Sequence, residues 1–158
     1  MDTPTTHVTW MILRKADKIL LGYKKCRFGA GKWNGIGGKV DPGETIEQAA
    51  VREMQEESNV TPTKFEKVAT ITFDQLIYNG TKGRSVMHCF IATEWQGNPT
   101  ETEEIRPEWF DISQIPYDEM WIDDTYWLPT ILEGKKVEAT FTWNDNYEIT
   151  AHQVKILD

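Results

Sequence analysis

Basic residues are in short supply. The chain has 17 lysines and arginines against 25 aspartates and glutamates, a net charge of −8. That sign excludes general nucleic-acid binding, which draws on basic surfaces. Phosphate ligands stay open where divalent cations mediate the contact. Cysteine is equally scarce: Cys26 and Cys89 lie far apart without metal-ligand spacing. Both are expected to be reduced thiols of a cytoplasmic protein. Long apolar runs are missing, none approaching the roughly 20 residues of a membrane-spanning helix, so no membrane partner is expected. Met1-Asp2-Thr3-Pro4 has neither a basic start nor an apolar core, and no secretion signal is expected. There is no internal repeat, low-complexity tract or long linker, and His7, His88 and His152 are scattered without an assignable role. What remains fits a single domain over residues 1–158, expected as a monomer.

Apolar patterning and turn residues place the elements. Residues 8–13 read as a strand, 14–18 as a turn and 19–23 as the returning strand. A glycine-rich stretch covers 28–43. A helix is expected over 46–58, with Thr45 and Gln48 as a capping box and Asn59 as its left-handed terminator. Strands are expected over 68–77 and 84–92, joined through Asn79-Gly80 and Gly83. Residues 109–112 form a short apolar segment, 127–132 a helix, and 137–143 with 147–156 a hairpin around Asn144-Asp145-Asn146. This order predicts an α/β fold: a mixed sheet with helices on its faces.

The helix over 46–58 carries the chemistry. At about 100° per residue, Ile46, Ala49, Ala50 and Met54 define an apolar face. Glu53, Glu56 and Glu57 project within that face or at its edge, where a solvated helix would place its acids opposite. Like charges at spacings of three and four repel. A hard divalent cation offsets that repulsion, and oxygen-only ligation suits magnesium or manganese. The plain alternative is a glutamate-rich surface helix, with Arg52 pairing to Glu56.

The residues before the helix add a second signal. Gly35-Ile36-Gly37-Gly38-Lys39-Val40 runs into Asp41-Pro42-Gly43-Glu44, a compact loop ending at the helix N-terminus. Gly38 allows close backbone approach and a carbonyl for a metal. Glu44 and Arg52 suit an ion pair fixing loop to helix. The run Gly38, Glu44, Arg52-Glu53-Met54, Glu56-Glu57 and Val60 resembles the Nudix signature, with Asn59 replacing its last glycine. A chance match at a given start is on the order of one in ten million. The resemblance implies a Nudix α/β/α sandwich with its catalytic helix at 46–58. It also implies a Mg2+-dependent hydrolase, with Mn2+ as a possible substitute, cleaving a nucleoside diphosphate linkage. Glu53, Glu56 and Glu57 would be metal ligands, assisted by the Gly38 carbonyl, and one glutamate would serve as general base. Glu104, in Glu101-Thr102-Glu103-Glu104, matches a position where many members bring a further carboxylate; a solvated acidic loop is the alternative.

The likeness runs further. Leu20-Leu21-Gly22, Phe28-Gly29-Ala30-Gly31, Trp33-Asn34-Gly35, Arg106-Pro107, Gln114-Ile115-Pro116 and Met120-Trp121 resemble one branch of that family. Its members hydrolyse oxidised purine nucleoside triphosphates such as 8-oxo-dGTP and 2-hydroxy-dATP to the monophosphate and pyrophosphate, sanitising the nucleotide pool. The resemblance assigns the nucleotide to Thr9, Lys24, Phe28, Asn34, Gly37, Phe73, Trp121, Asp123, Asp124 and Trp127. Two neighbouring carboxylates in an apolar pocket cannot easily both ionise, so Asp123 and Asp124 would offer a donor and an acceptor to a purine edge. Trp121 offers a stacking face, and Asn34 a donor and an acceptor. The alternative for Asp123-Asp124 is a helix N-cap with first-turn acid. Residues 73–88 depart from the branch in length, and Ser85 stands where it has a larger apolar side chain, implying a wider pocket floor. Other readings remain open: undamaged nucleoside triphosphates, a dinucleoside polyphosphate or a nucleotide sugar as substrate, or a nucleotide sensor without turnover.

Overall fold

A computed structural model describes residues 5–78 and 80–157. Residues 1–4 and Asn79 of the expected turn lie outside the described residues. The strands are β1 (Thr5–Lys15), β2 (Lys18–Lys24), β3 (Trp33–Asn34), β4 (Thr61–Tyr78), β5 (Thr81–Gln96), β6 (Ile105–Asp111), β7 (Lys136–Trp143) and β8 (Ile149–Leu157). They form a mixed sheet in the order β3-β2-β1-β5-β4-β7-β8, with β6 alongside β2. β1 runs parallel to β5, and β4 parallel to β7, as the mixed element order predicts.

Helices α1 (Ile46–Ser58) and α2 (Asp124–Leu132) complete the sandwich. Strand β1 explains the layering. Trp10, Met11, Ile12 and Leu13 are all buried. Alternation sends Trp10 and Ile12 into one apolar cluster with Trp127, Leu128 and Ile131 of α2. Met11 and Leu13 enter the other, with Ala50 and Met54 of α1. A strand covered on both faces reads as one apolar run. Each such large side chain contributes about 1.5–3 kcal/mol on burial.

Helix α1 keeps its expected bounds. The Thr45 hydroxyl accepts the Gln48 N–H at 3.1 Å and the Gln48 side chain accepts the Thr45 N–H at 2.8 Å. Asn59 ends the helix at φ 63°. Other elements differ from expectation. β4 and β5 are longer than 68–77 and 84–92 because they pair beyond the sheet centre as a hairpin, Tyr78 opposite Thr81. Residues 109–111 belong to β6 and Ile112 opens a short 3-10 turn (Ile112–Gln114), and α2 starts earlier than 127, at Asp124. The final turn spans 144–148 rather than 144–146, held by the Asn144 side chain accepting the Asn146 and Glu148 N–H groups. Cys26 and Cys89 are unpaired. Among the described residues no helix is long and apolar enough to cross a membrane.

One irregularity shapes the site. Phe73 pairs with Ser85 and Leu76 with Gly83, so three steps on β4 match two on β5. The extra residue is a β-bulge, absorbed by Gln75 at φ 57°. Alternation restarts beyond it, and Phe73, Leu76 and Tyr78 share one face of the sheet.

Candidate active site

The glycine loop is stitched to β1. Met11 and Ile36 exchange backbone hydrogen bonds at 2.8 and 2.9 Å, and the Thr9 N–H donates to the Gly38 carbonyl at 2.8 Å. A side chain at Gly37 would place its Cβ 1.9 Å from the Thr9 carbonyl oxygen. At Gly38 the Cβ would lie 2.7 Å from the Glu53 carboxyl carbon. The space that Gly38 leaves is therefore filled by the Glu53 carboxylate, which locks loop and helix together.

Arg52 sits at the centre of the acidic cluster. Its guanidinium bonds Glu44 at 2.7 and 3.0 Å, Glu53 at 2.9 Å, Glu56 at 3.2 Å and the Lys39 carbonyl at 3.0 Å. The expected Glu44–Arg52 pair is present, and its hydrogen bonds hold the Glu44 carboxyl down at about 2. Glu53 and Glu57 face inward, with Glu57 buried. Glu56 lies at the edge of the face beside Arg52, its side chain 58% exposed. Burial raises the Glu53 carboxyl. Burial, then the charges of Glu53 and Glu104, push Glu57 up to about 8. Glu104 arrives on the β5–β6 connection beside Glu57 and is tied to Arg27 at 3.2 Å.

The donor set fits a hard divalent cation. All the side chains are carboxylates, and the burial and like charge that raise the Glu57 carboxyl are costs a hard divalent cation would offset. Among the described residues no three such side chains converge on one point, and Arg52 bonds Glu53 and Glu56.

A pocket of about 120 Å³ opens beside this cluster. Gly37, Gly38 and Lys24 line the end nearest the glutamates, and the Lys24 charge is felt by Glu57. Thr9, Asn34, Phe73, Asp123 and Asp124 line the interior. Phe28 and Trp121 also line it, stacked on each other at 5.3 Å and 28°. The Asn34 carbonyl oxygen accepts the Trp10 indole N–H and the Gly35 N–H, each at 3.0 Å. Its acceptor is thus occupied, and Asn34 offers a ligand donors only, not the donor–acceptor pair expected of the amide.

Asp123 and Asp124 are both buried. Asp123 makes no capping bond to α2. Its Oδ2 accepts the Trp127 indole N–H at 2.9 Å, and Asp124 Oδ2 has no partner within the protein. Burial raises both carboxyls, Asp123 to about 6 and Asp124 further because Asp123 adds like charge. Two carboxyls raised in this way resist ionising together, and the pair presents an unsatisfied oxygen to the pocket. Trp127 is not a pocket wall. It is fully buried behind Asp123 and reaches a ligand only through that carboxylate.

Sequence reasoning missed Leu76, Tyr78, Met87 and Trp143, all of which line the pocket. Trp143 was findable from the alternation of β7 with Phe141. Leu76 and Tyr78 were hidden by the bulge, which places them where unbroken alternation puts Gln75 and Ile77. Ser85 does face the pocket, and Leu76 beside it fills part of the space expected on the floor.

Comparison with known proteins agrees with this geometry. The family model for the NUDIX domain matches residues 3–131. The chain is 41% identical over 150 residues to the oxidized purine nucleoside triphosphate hydrolase of Mus musculus, covering 95% of this chain and 94% of that one. The protein of the same name from Danio rerio is 42% identical over 147 residues, covering 93% and 92%. The crystal structure of a mutator MutT protein from Bacillus halodurans has the same fold, with TM-score 0.82 and 24% identity over 95% of this chain and 97% of that one. From the glycine loop and glutamate helix to the matched 129-residue span, the chain belongs to the Nudix hydrolase family.

Proposed function

We propose that this protein hydrolyses oxidised purine nucleoside triphosphates, 8-oxo-dGTP and 2-hydroxy-dATP among them, to the nucleoside monophosphate and pyrophosphate. It would do so as a cytoplasmic monomer, without nucleic acid, and so sanitise the nucleotide pool. The observation that carries this reading is the buried Asp123–Asp124 pair, one oxygen unpartnered, at the inner end of a pocket whose outer end meets the Glu53–Glu57 carboxylates. The names of the mouse and zebrafish relatives support it.

The base inserts against Trp121 and Phe28. The aspartate pair, carrying one proton, donates to and accepts from the purine edge, and Asn34 donates from the side. A pair able to move its proton serves either oxidised guanine or oxidised adenine. The polyphosphate leaves past Gly37 and Gly38, with Lys24 adding positive charge. Mg2+ (or Mn2+) would be held by Glu53, Glu56, Glu57 and Glu104 with the Gly38 carbonyl, and supplies phosphate charge neutralisation and a polarised water. Water attacks phosphorus in line, its proton passes to a glutamate carboxylate, the phosphoanhydride bond breaks and pyrophosphate departs. Arg52 and Glu44 position the glutamates.

The test is pyrophosphate release, with Mg2+, from 8-oxo-dGTP, 2-hydroxy-dATP, dGTP and dATP, with ADP-ribose as a further substrate. The expected result is kcat/KM at least about tenfold higher for the oxidised purines, within the range one pocket contact supplies. Equal rates on damaged and undamaged forms would make it a general triphosphatase. Turnover of none would make it a nucleotide sensor.

A further inference from the structure

Resting on that reading, the structure also assigns the sugar. We infer that the Tyr78 ring is the wall against which the nucleoside sugar lies, and that it selects 2′-deoxyribose over ribose.

The placement follows from the two ends of the pocket. A nucleoside triphosphate with its base on Asp123–Asp124 and its phosphates at the glutamate helix carries its sugar between them. Tyr78 occupies that middle ground. It lines the same pocket, and its ring packs on Phe28 at 4.7 Å between centroids. The nearby charges acting on its phenol are those of Glu53, Glu57 and Arg27, at the phosphate end.

The ring is also held in place. The bulge at Gln75 turns it inward. Phe28 packs against it, and the Lys39 ammonium lies 5.3 Å from its centroid. A ring fixed in this way cannot swing aside for a larger ligand.

Tyr78, Leu76 and Ser85 also line an adjoining groove together with Lys39 and Arg84. They are thus the partition between that groove and the pocket. With the ring in place, a 2′-hydroxyl laid on the ring face would exchange water for carbon. A 2′-CH2 meets the same surface at no such cost. Removing the ring joins pocket to groove and lets water reach the hydroxyl. An apolar wall rejects an added hydroxyl by at most about 100-fold, which sets the scale.

The experiment compares kcat/KM for 8-oxo-dGTP, 8-oxo-GTP and dGTP in the wild type, Tyr78→Ala and Tyr78→Phe. The wild type should prefer 8-oxo-dGTP to 8-oxo-GTP by about 10- to 100-fold. Tyr78→Phe should keep that ratio, because the ring and not the hydroxyl acts. Tyr78→Ala should bring the ratio to within about threefold while the ratio of 8-oxo-dGTP to dGTP holds. Calorimetric binding of 8-oxo-dGMP and 8-oxo-GMP to the wild type gives the same preference independently of any variant's folding. No sugar preference in the wild type, or a full preference in Tyr78→Ala, overturns the assignment. A sugar preference that persists while 8-oxo-dGTP and dGTP react equally would overturn the oxidised-base reading and leave this one standing.

Discussion

Trp127 donates its indole N–H to Oδ2 of Asp123 at 2.9 Å, one helical turn away and wholly inside the core. The bond fixes one oxygen of the aspartate pair from behind. Asp124 lies beside it with an oxygen bonded to nothing in the protein. The arrangement is poor for stability and apt for recognition, since the open oxygen waits for a ligand proton.

A pH dependence follows. Burial raises the Asp123 carboxyl from the usual 3.8 to about 6. A carboxyl raised on folding gives stability that is complete below the unfolded value and lost as pH rises through the folded one. Asp123→Asn should therefore match the wild-type Tm near pH 4 and exceed it by several degrees near pH 8. The same variant should alter the ratio of 8-oxo-dGTP to 2-hydroxy-dATP turnover more than it alters Mg2+ dependence. Calorimetric scans from pH 4 to 8 check the first part, and parallel Tm curves for the two proteins would refute it.

Glu57 is the second case. Its burial, with Glu53 and Glu104 nearby, holds the carboxyl up to about 8. Glu57→Gln keeps the shape and removes the ionisable carboxyl. Activity should fall by about 10²- to 10⁴-fold, the usual worth of a positioned acid or base. Far-ultraviolet circular dichroism should be unchanged and Tm no lower. Turnover near that of the wild type would remove Glu57 from the chemistry.

Much of this was legible in the sequence. Helix α1 has local signals at both ends, and Glu53 and Glu57 fall on the inward face because 3.6-residue periodicity is a local property. What was not legible depends on contacts between distant segments. The two-residue β3 exists only because Trp33 and Asn34 meet Tyr23 and Gly22. The bulge at Gln75 exists because β5 is one residue shorter in that stretch. Hence Leu76 and Tyr78 were invisible as pocket residues, while Phe73, before the bulge, was not. Family likeness assigns Trp127 to the nucleotide, but its depth in the core makes it a support for Asp123 rather than a wall. The Arg52–Glu56 pair at the edge of that face was legible for the same reason, the two lying four residues apart.

The two glycines of the loop separate fold from function. At Gly37 an added Cβ meets the Thr9 carbonyl oxygen at 1.9 Å, backbone against backbone. Gly37→Ala should therefore cost about 3 kcal/mol or more, as severe overpacking does, and yield little folded protein. At Gly38 the Cβ meets the Glu53 carboxyl at 2.7 Å, the far end of a side chain that can move. Gly38→Ala should fold with a small drop in Tm and lose turnover by displacing Glu53. If so, Gly38→Ala and Glu53→Ala will be non-additive in kcat. Simple addition of the two losses would break the link.

Arg52 is the last test, because so many carboxylates depend on it. It bonds Glu44, Glu53 and Glu56 and reaches the Lys39 carbonyl, joining the loop to the helix. The Glu44 carboxyl is held at about 2 chiefly by those hydrogen bonds. Arg52→Lys retains the charge but not the planar fork, so it cannot hold four partners at once. Both Arg52→Lys and Arg52→Ala should lower kcat, by about 10²-fold if the glutamates shift by an ångström. Amide hydrogen exchange should quicken across residues 38–44, while the β4–β7 pairing stays protected. Full activity in Arg52→Lys would show that Arg52 supplies charge alone, and the glutamates would then need some other group to hold them.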